Sequence, residues 1–526
     1  MSIGKLEFVD SPQGTLPLEK VALRLNPIDD VAIVMVGLSA GTTLILDGDD
    51  GRQAEAKIRQ FVPSGHKIAL REMAPGTAVR RYGQIIGFTT TAVLPGEHVH
   101  LHNLGVQEFA REYAFSVDVR PVEYIAEAQR RTFLGYLRSD GRVGTRNYVA
   151  VIGTVNCSAH TVREIAHHFT PERLAAYPNI DGVIPIAHHL GCASRIGSQD
   201  YVFLQRCLAG IACHPNVAGY IVVGLGCETN QGMDLVQNFD LGQPPMLTIQ
   251  GSGGVRKTVQ AGIAAIEALL PAANDCQRSP QPIAELMVAL QCGGSDGWSG
   301  ITANPMLGLA ADEIVRQGGT VVLAETPEIY GAEHLLVRRA VSPEVGQKLV
   351  DTVHWWEDHA RRVGGEINNN PSIGNKAGGL TTIYEKSLGA VAKGGSTPLT
   401  GVFGYAEPVT VRGFTFMDSP GYDPISVTGQ VAGGCNLVLF TTGRGSAFGF
   451  KPTPSIKIAT NTPMYEHMID DMDLNAGKVL DGVSMRAVAE ELLDLAIHVA
   501  SGQPSKSEAQ GIGESEFNPW SVGGLF

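Results

Sequence analysis

The chain has 526 residues, too many for one ordinary hydrophobic core, so its length suggests two to four domains. Hydrophobic residues make up 44% and charged residues 18%, the balance of a globular protein in water. The formal net charge of −13 argues against nucleic acid or an anionic membrane as the main partner, yet leaves a small anionic substrate open, because a few arginines can dominate a pocket. No apolar stretch reaches the length of a membrane span, and Met1-Ser2-Ile3-Gly4-Lys5 lacks a signal-peptide pattern, so a cytoplasmic protein is expected. Eight cysteines in so long a chain do not read as a disulfide scaffold.

Residues 20–103 read as a small all-β module, with strands expected at 21–25, 31–36, 67–70, 84–91 and 97–101. Turn signals such as Pro63-Ser64-Gly65 and Leu94-Pro95-Gly96 separate them. His98, His100 and His102 alternate, which on a strand puts all three on one face. With His66 they could form a metal site or simply a polar strand edge. Residues 104–134 read as a connector with a helix over 122–132.

A second rhythm fills residues 135–270. Strands expected at 148–154, 182–187, 219–223 and 245–250 are each followed by a polar or glycine-rich cluster and then a helix. Repeated strand–loop–helix units predict a parallel sheet covered by helices. The clusters fall where ligands bind such sheets, outside the carboxyl ends of the strands. They carry Cys157, then His188 and Cys192, then Cys227 and Glu228, then Gly251-Ser252-Gly253-Gly254. The last could hold a phosphate, but it lacks the full dinucleotide or P-loop pattern. Residues 271–282 read as a linker.

Residues 283–526 read as a further α/β domain, so the fold class expected is α/β with an N-terminal β module and two largely parallel sheets. Its first strand runs into Gln291-Cys292-Gly293-Gly294-Ser295-Asp296-Gly297, a turn rich in glycine that also carries a thiol and a carboxylate. Thr302 and Asn304 follow as a helix begins. Later come Glu325-Thr326-Pro327-Glu328, a polar loop over 368–379 containing Asn375 and Lys376, and Thr442-Gly443-Arg444-Gly445. Arg444 offers the two-pronged geometry that a carboxylate needs, although a lone arginine more often ties down a loop. Arg142 and Arg146 are a further cationic source. A helix over 484–500, with Ser484 as its N-cap, closes the domain.

Cys157, Cys192, Cys227 and Cys292 all end strands. Their separations are wide, so local zinc-finger spacing is absent, but neighbouring strands would bring the thiols together. With His188, His189 or Glu228 they would suit iron or zinc, and three thiolates could hold an iron–sulfur cluster. The plain alternative is that a small cysteine fits a tight turn.

Gly224-Leu225-Gly226-Cys227-Glu228, Cys292-Gly293-Gly294-Ser295-Asp296, Thr302-Ala303-Asn304-Pro305, Gly374-Asn375-Lys376 with Gly378-Gly379, Thr442-Gly443-Arg444-Gly445 and Asp473-Leu474-Asn475-Ala476-Gly477 together resemble the altronate/galactarate dehydratase family. They occur in the family's order along essentially the whole chain, and the β module resembles its SAF (β-clip) domain. The stretch Glu97-His98-Val99-His100-Leu101-His102-Asn103 leans to the altronate branch. The resemblance implies an Fe2+-dependent hydro-lyase (Mn2+ or another divalent ion being compatible) that turns a hexonate or hexarate into a 2-keto-3-deoxy acid. It implies metal ligands among Cys157, His188, Cys192, Cys227 and Cys292, and catalytic roles for His66, Glu228, Asp296, Lys376 and Arg444. Ser295, Thr302, Asn304, Asn375 and Thr442 would join Arg444 in binding substrate. A homo-oligomer is compatible with it. Galactarate remains an alternative substrate, the similar sulfolactate sulfo-lyases eliminate sulfite instead, and a non-catalytic sugar-acid or metal sensor is the reading from a different class.

Overall fold

The computed structural model describes residues 14–47, 53–109 and 111–523; the start Met1–Lys5, read above for a leader, lies outside them. The N-terminal β module is built from three small sheets. One pairs Thr15–Pro17, Thr43–Asp47 and Gln53–Lys57, a second joins Ala22–Leu23, Val31–Val34, Lys67–Ala69 and His98–Val99, and a third joins Ala78–Arg81, Gln84–Thr89 and Leu104–Gly105. Val21, Ala32, Val34, Leu38, Leu44, Val62 and Ile68 are among the residues of its core.

Both larger sheets are parallel, as the strand–loop–helix rhythm predicts. The first has the order Gly182–Ile186, Tyr148–Gly153, Val217–Gly224, Met246–Thr248. The second has seven strands in the order Leu399–Phe403, Gly413–Met417, Thr320–Leu323, Met287–Cys292, Leu437–Thr442, Ser455–Ala459, Leu474–Asn475. All its pairs are parallel. Strands buried on both faces need near-continuous apolar sequence, and Met287–Cys292 and Leu437–Thr442 supply it. No described helix is long and apolar enough to cross a membrane.

Four expectations are corrected. The helix over 122–132 is only a single turn, Glu127–Gln129, after which Thr132–Leu137 is a strand. Residues 271–282 are not a loose linker: the helix Val255–Asp275 runs through Pro271, and Arg278–Pro282 pairs antiparallel with Thr132–Leu137. Ser484 does stand at the N-cap of Met485–Ala500, but its side chain makes no capping bond. The strand bearing the histidines is only His98–Val99, and the chain turns at once through residues 100–103. That turn is held by Asn103, whose side chain accepts from the His100 amide and donates to the His98 carbonyl. Two buried helices, Ile383–Val391 and Asp423–Ala432, and the edge strand Leu399–Phe403 were not expected.

Candidate active site

The glycine-rich turn after Met287–Cys292 is locked to the turn after Leu437–Thr442. Gly294, at φ +63°, accepts from the amides of Gly443 and Arg444 at 3.1 and 2.8 Å. Asp296 is the knot: its carboxylate accepts from the Trp298 and Ser299 amides and from the Ser299 hydroxyl, the Thr460 hydroxyl and the Asn461 amide group. Burial raises the Asp296 pKa, while these donors work the other way. Asn375, inside the capping box of Ile373–Ala377, donates to the Ser295 carbonyl at 2.8 Å and ties the polar loop to the same turn.

The β module docks on this assembly through backbone. The Gly65 carbonyl lies where a Cβ on Gly297 would sit 2.1 Å away and one on Gly379 2.4 Å away, so neither position has room for a side chain. Beside it the His66 ring sits 3.0 Å from the His98 ring, nitrogen to nitrogen, with its other nitrogen 3.3 Å from the Ala377 carbonyl. The His66, His98 and His100 rings lie with centroids 5.0–5.1 Å apart, each offering a nitrogen within 4.8 Å of the other two. The His100 Nδ1 is buried without a partner. Burial, and then Lys67, lower His66 to about 4; burial, and then His66, take His98 to about 3; burial and Lys67 take His100 to about 3. Three neutral imidazoles converging in this way fit a divalent cation.

Across the seam, Lys376 is half-buried and Arg444 exposed, and neither side chain has a hydrogen-bond or ion-pair partner among the described residues. Arg444 flanks Gly378, where an added Cβ would lie 3.2 Å from the Arg444 Cδ, and Lys376 precedes that glycine by two residues in the chain. The buried Thr442 hydroxyl is also without a partner. These are free donors on the ligand side of the sheet. By contrast Thr302 donates to the Thr460 carbonyl, and Asn304 bonds both Gly389 and Thr441, so both side chains are engaged within the protein. Ser295 borders a small internal cavity of about 10 Å³, next to Asp296, Tyr82 and Glu385.

Cys292 stands apart from the other cysteines. It is buried at the end of its strand, its sulfur 2.8 Å from the Lys393 Nζ and 3.6 Å from Glu328. Glu325, whose backbone is left-handed at φ +71°, has one buried oxygen without a partner, and Lys386 pairs with Glu328 at 2.6 Å. Cys292, Glu325 and Glu328 could in principle hold a cation. Two lysines already balance charge there, so this set fits a metal less well than the histidines do. Burial pushes the Cys292 thiol up to about 12, which keeps it protonated.

Cys157, Cys192 and Cys227 are exposed at the ends of neighbouring strands of the other sheet. Among the described residues no three of Cys157, His188, Cys192, Cys227 and Cys292 bring their ligand atoms within 4.8 Å of one another. Cys227 accepts a weak bond from Gln250. His188 is buried; its Nδ1 accepts from the Leu190 amide, while its Nε2 has no partner. Glu228 clamps its own turn, accepting from Thr154, Leu225 and Gly226. Burial opposes its ionisation, but these donors outweigh it and lower the carboxyl pKa. Arg146 is engaged with Glu508, and Arg142 with Asp140.

Sequence reasoning missed Lys67, Arg81 and Glu385, a fully buried ionic cluster at the same seam. Lys67 and Arg81 sit in ordinary β alternation and Glu385 in a short helix, so nothing local marks them. Lys393 carried a signal: it ends the apolar run Leu388-Gly389-Ala390-Val391-Ala392, where an ammonium needs a buried partner.

A β module that presents imidazoles to the strand-end loops of a parallel α/β sheet, where Lys376 and Arg444 also lie, is an architecture suited to binding a small anion. Family models match three successive segments: the altronate/galactarate dehydratase SAF domain at residues 20–107, the second domain of D-galactarate dehydratase/altronate hydrolase at 135–274, and the D-galactarate/altronate dehydratase C-terminal domain at 283–524. The chain is 36% identical to altronate dehydratase of Bacillus subtilis over 92% of its own length and 96% of that protein's. It is 34% identical to altronate dehydratase of Escherichia coli over the same shares. It is also 34% identical to galactarate dehydratase (L-threo-forming) of Escherichia coli, over 91% of this chain and 93% of that one. The chain belongs to the galactarate/altronate dehydratase family.

Proposed function

We propose that the protein is a sugar-acid dehydratase, a carbon–oxygen lyase whose substrate is altronate. The observation that carries the reading is the seam itself: three neutral imidazoles from the β module, with His66 against the Ala377 carbonyl, meet the glycine-rich loops that carry Lys376 and Arg444, neither paired among the described residues. Family membership supports the reaction class, and the altronate dehydratases among the relatives support the substrate.

Elimination requires a base for the proton at C2, neutralisation of the carboxylate as negative charge develops, and help for the departing hydroxide. Arg444 grips the carboxylate. Lys376 acts as the base in its free-amine form, taking the C2 proton onto Nζ, so that the carboxylate charge is met by Arg444; Asp296 and Glu228 are less suited, because their oxygens are filled by donors. Thr442, with its unmet hydroxyl, and Ser295 orient substrate hydroxyls. The enol left by loss of water tautomerises to a 2-keto-3-deoxy acid. His66, His98 and His100 would hold iron(II) or another divalent ion, which supplies Lewis acidity to the carboxylate and the leaving oxygen. The Gly65–His66 turn covers the backbone of Gly297 and Gly379 at the seam.

A second metal reading rests on His188: its orphaned Nε2, at the strand ends that carry Cys157, Cys192 and Cys227, favours iron there, either alone or as an iron–sulfur cluster, whose thiols lie farther apart than the ligands of a single ion.

The test is to incubate the protein with a panel of aldonates and aldarates plus iron(II) and to measure 2-keto-3-deoxy acids. Altronate should turn over fastest. Galactarate as the preferred substrate would overturn the substrate assignment, and no turnover across the panel would overturn the reaction.

A further inference from the structure

Glu385 is fully buried on the helix Ile383–Val391 and gathers charge from two segments of the β module. Lys67 donates to both its oxygens at 2.8 and 2.9 Å, Arg81 donates to one of them, and the Thr381 amide and hydroxyl donate to Oε2. The same two cations also reach the substrate loops. The Lys67 Nζ donates to the Gly379 carbonyl at 2.7 Å, and the Arg81 guanidinium to the Gly297 carbonyl at 2.8 Å. Gly297 and Gly379 are the residues against which the Gly65 carbonyl packs, and His66 is the neighbour of Lys67 in the chain. One carboxylate therefore fixes, through two cations, the spacing between the histidines and the loops that carry Asp296 and Lys376.

A buried ion cluster is a poor way to add stability, because desolvation offsets most of the attraction. It is a good way to fix geometry, since each partner must meet several directional bonds at once. The apolar contacts of Ile33, Trp298 and Ile301, with Leu23 and Met35 beside them, already join the two surfaces.

We propose that Glu385, acting through Lys67 and Arg81, is a positioning residue for the elimination: it sets the distance between the β-module histidines and the Gly297 and Gly379 loops. The inference rests on the seam being the site of dehydration.

The test uses the full-length, iron-loaded protein. Glu385→Gln should lower kcat by about 100-fold, the scale of a misplacement of about 1 Å, while KM for the sugar acid changes little because Arg444 remains. Glu385→Asp should recover part of the rate. If Glu385→Gln fails to fold, the triple variant Lys67→Met, Arg81→Met, Glu385→Leu decides, because replacing a whole buried ion cluster by apolar groups is tolerated where breaking it is not. That variant should fold and be as slow as expected for Glu385→Gln; wild-type kcat in it would overturn the proposal. A readout independent of turnover separates the two readings. In cobalt(II) titrations followed by visible absorbance, loss of the Glu385 tie should weaken binding at the histidines by about 10-fold or more, the scale for groups that orient metal ligands. Cobalt binding in both variants that matches the wild type would overturn the inference. Wild-type protein that binds cobalt normally but dehydrates no sugar acid would overturn the functional reading alone.

Discussion

The strand ends of the two parallel sheets carry similar residues, thiols, carboxylates and glycines, but the structure treats them in opposite ways. At the four-stranded sheet, Cys157, Cys192 and Cys227 are exposed, and the buried carboxylate of Glu228 is occupied with its own turn. At the seven-stranded sheet the β module covers the strand ends, brings three histidines, and leaves Lys376 and Arg444 unpaired. Burial changes the chemistry of such groups. The histidines under cover are held neutral, with His66 lowered to about 4 by burial and by Lys67. Residue type alone does not locate a site; the neighbour that closes over the loop decides what the loop can do.

The largest effect should come from breaking the covered region. His98→Ala should lower both bound metal and turnover, the latter by about 10²–10⁴-fold if proton transfer and metal chemistry are both disturbed. The matching change at the open region, Cys157, Cys192 and Cys227 all to Ser, should leave iron content and turnover near wild type. Loss of iron in the triple serine variant, with retention in His98→Ala, would move the metal centre to the other sheet.

Lys376→Met should come next, with kcat lowered by about 10²–10³-fold, measured as the rate of 2-keto acid release. Arg444→Met removes a charged hydrogen bond to substrate worth about 1.5–3 kcal/mol, so kcat/KM should fall by about 10–100-fold. Equal losses for Arg444→Met and Arg142→Met would argue against a specific carboxylate grip, because Arg142 is exposed and paired with Asp140.

Acid titration separates the regions by pH. Burial opposes ionisation of Glu385, but Lys67 and Arg81 outweigh it and hold its carboxyl at about 2, below its ordinary 4.5. A depressed carboxyl stabilises the folded state fully above pH 4.5, and that contribution disappears as the pH falls toward 2. The near-ultraviolet circular dichroism of Trp298, which packs against Gly65 at the seam, should therefore change over that window. In the neutral triple variant the change should be smaller.

The smallest expected effects concern helix starts. Thr382 caps the helix that presents Glu385, and its hydroxyl also bonds the Ile86 carbonyl, so Thr382→Ala should cost about 1 kcal/mol in denaturant unfolding. Ser484→Ala should cost less than about 0.5 kcal/mol, because that serine makes no capping bond.

Much of the architecture was legible because periodicity and strand-end punctuation are local. The runs that became Tyr148–Gly153 and Met287–Cys292 announce buried parallel strands, and the glycines after them mark the ligand side. Long-range decisions were not legible. Alternation suggested that His98, His100 and His102 share a strand face; the rings of His98 and His100 do gather with His66, but by a turn that Asn103 holds. Cys292 looked like a partner of the other three strand-end cysteines, yet it faces Lys393 on a different sheet. The sequence separation between Lys67 and Glu385 is 318 residues, so no local pattern could pair them.

The strand pair Thr132–Leu137 and Arg278–Pro282 fixes how the chain enters and leaves the four-stranded sheet, with Thr132 opposite Pro282 and Tyr136 opposite Arg278. Everything between them is an excursion that departs and returns through one narrow doorway. A direct splice from Thr132 to Pro282 would have to bridge only neighbouring strands, roughly 5 Å apart. The middle unit is thus a cassette in its wiring alone: its buried residues, Ile152 and Leu208 among them, share one core with Val322 and Phe440 of the seven-stranded sheet, so removing it would uncover that sheet's own apolar face.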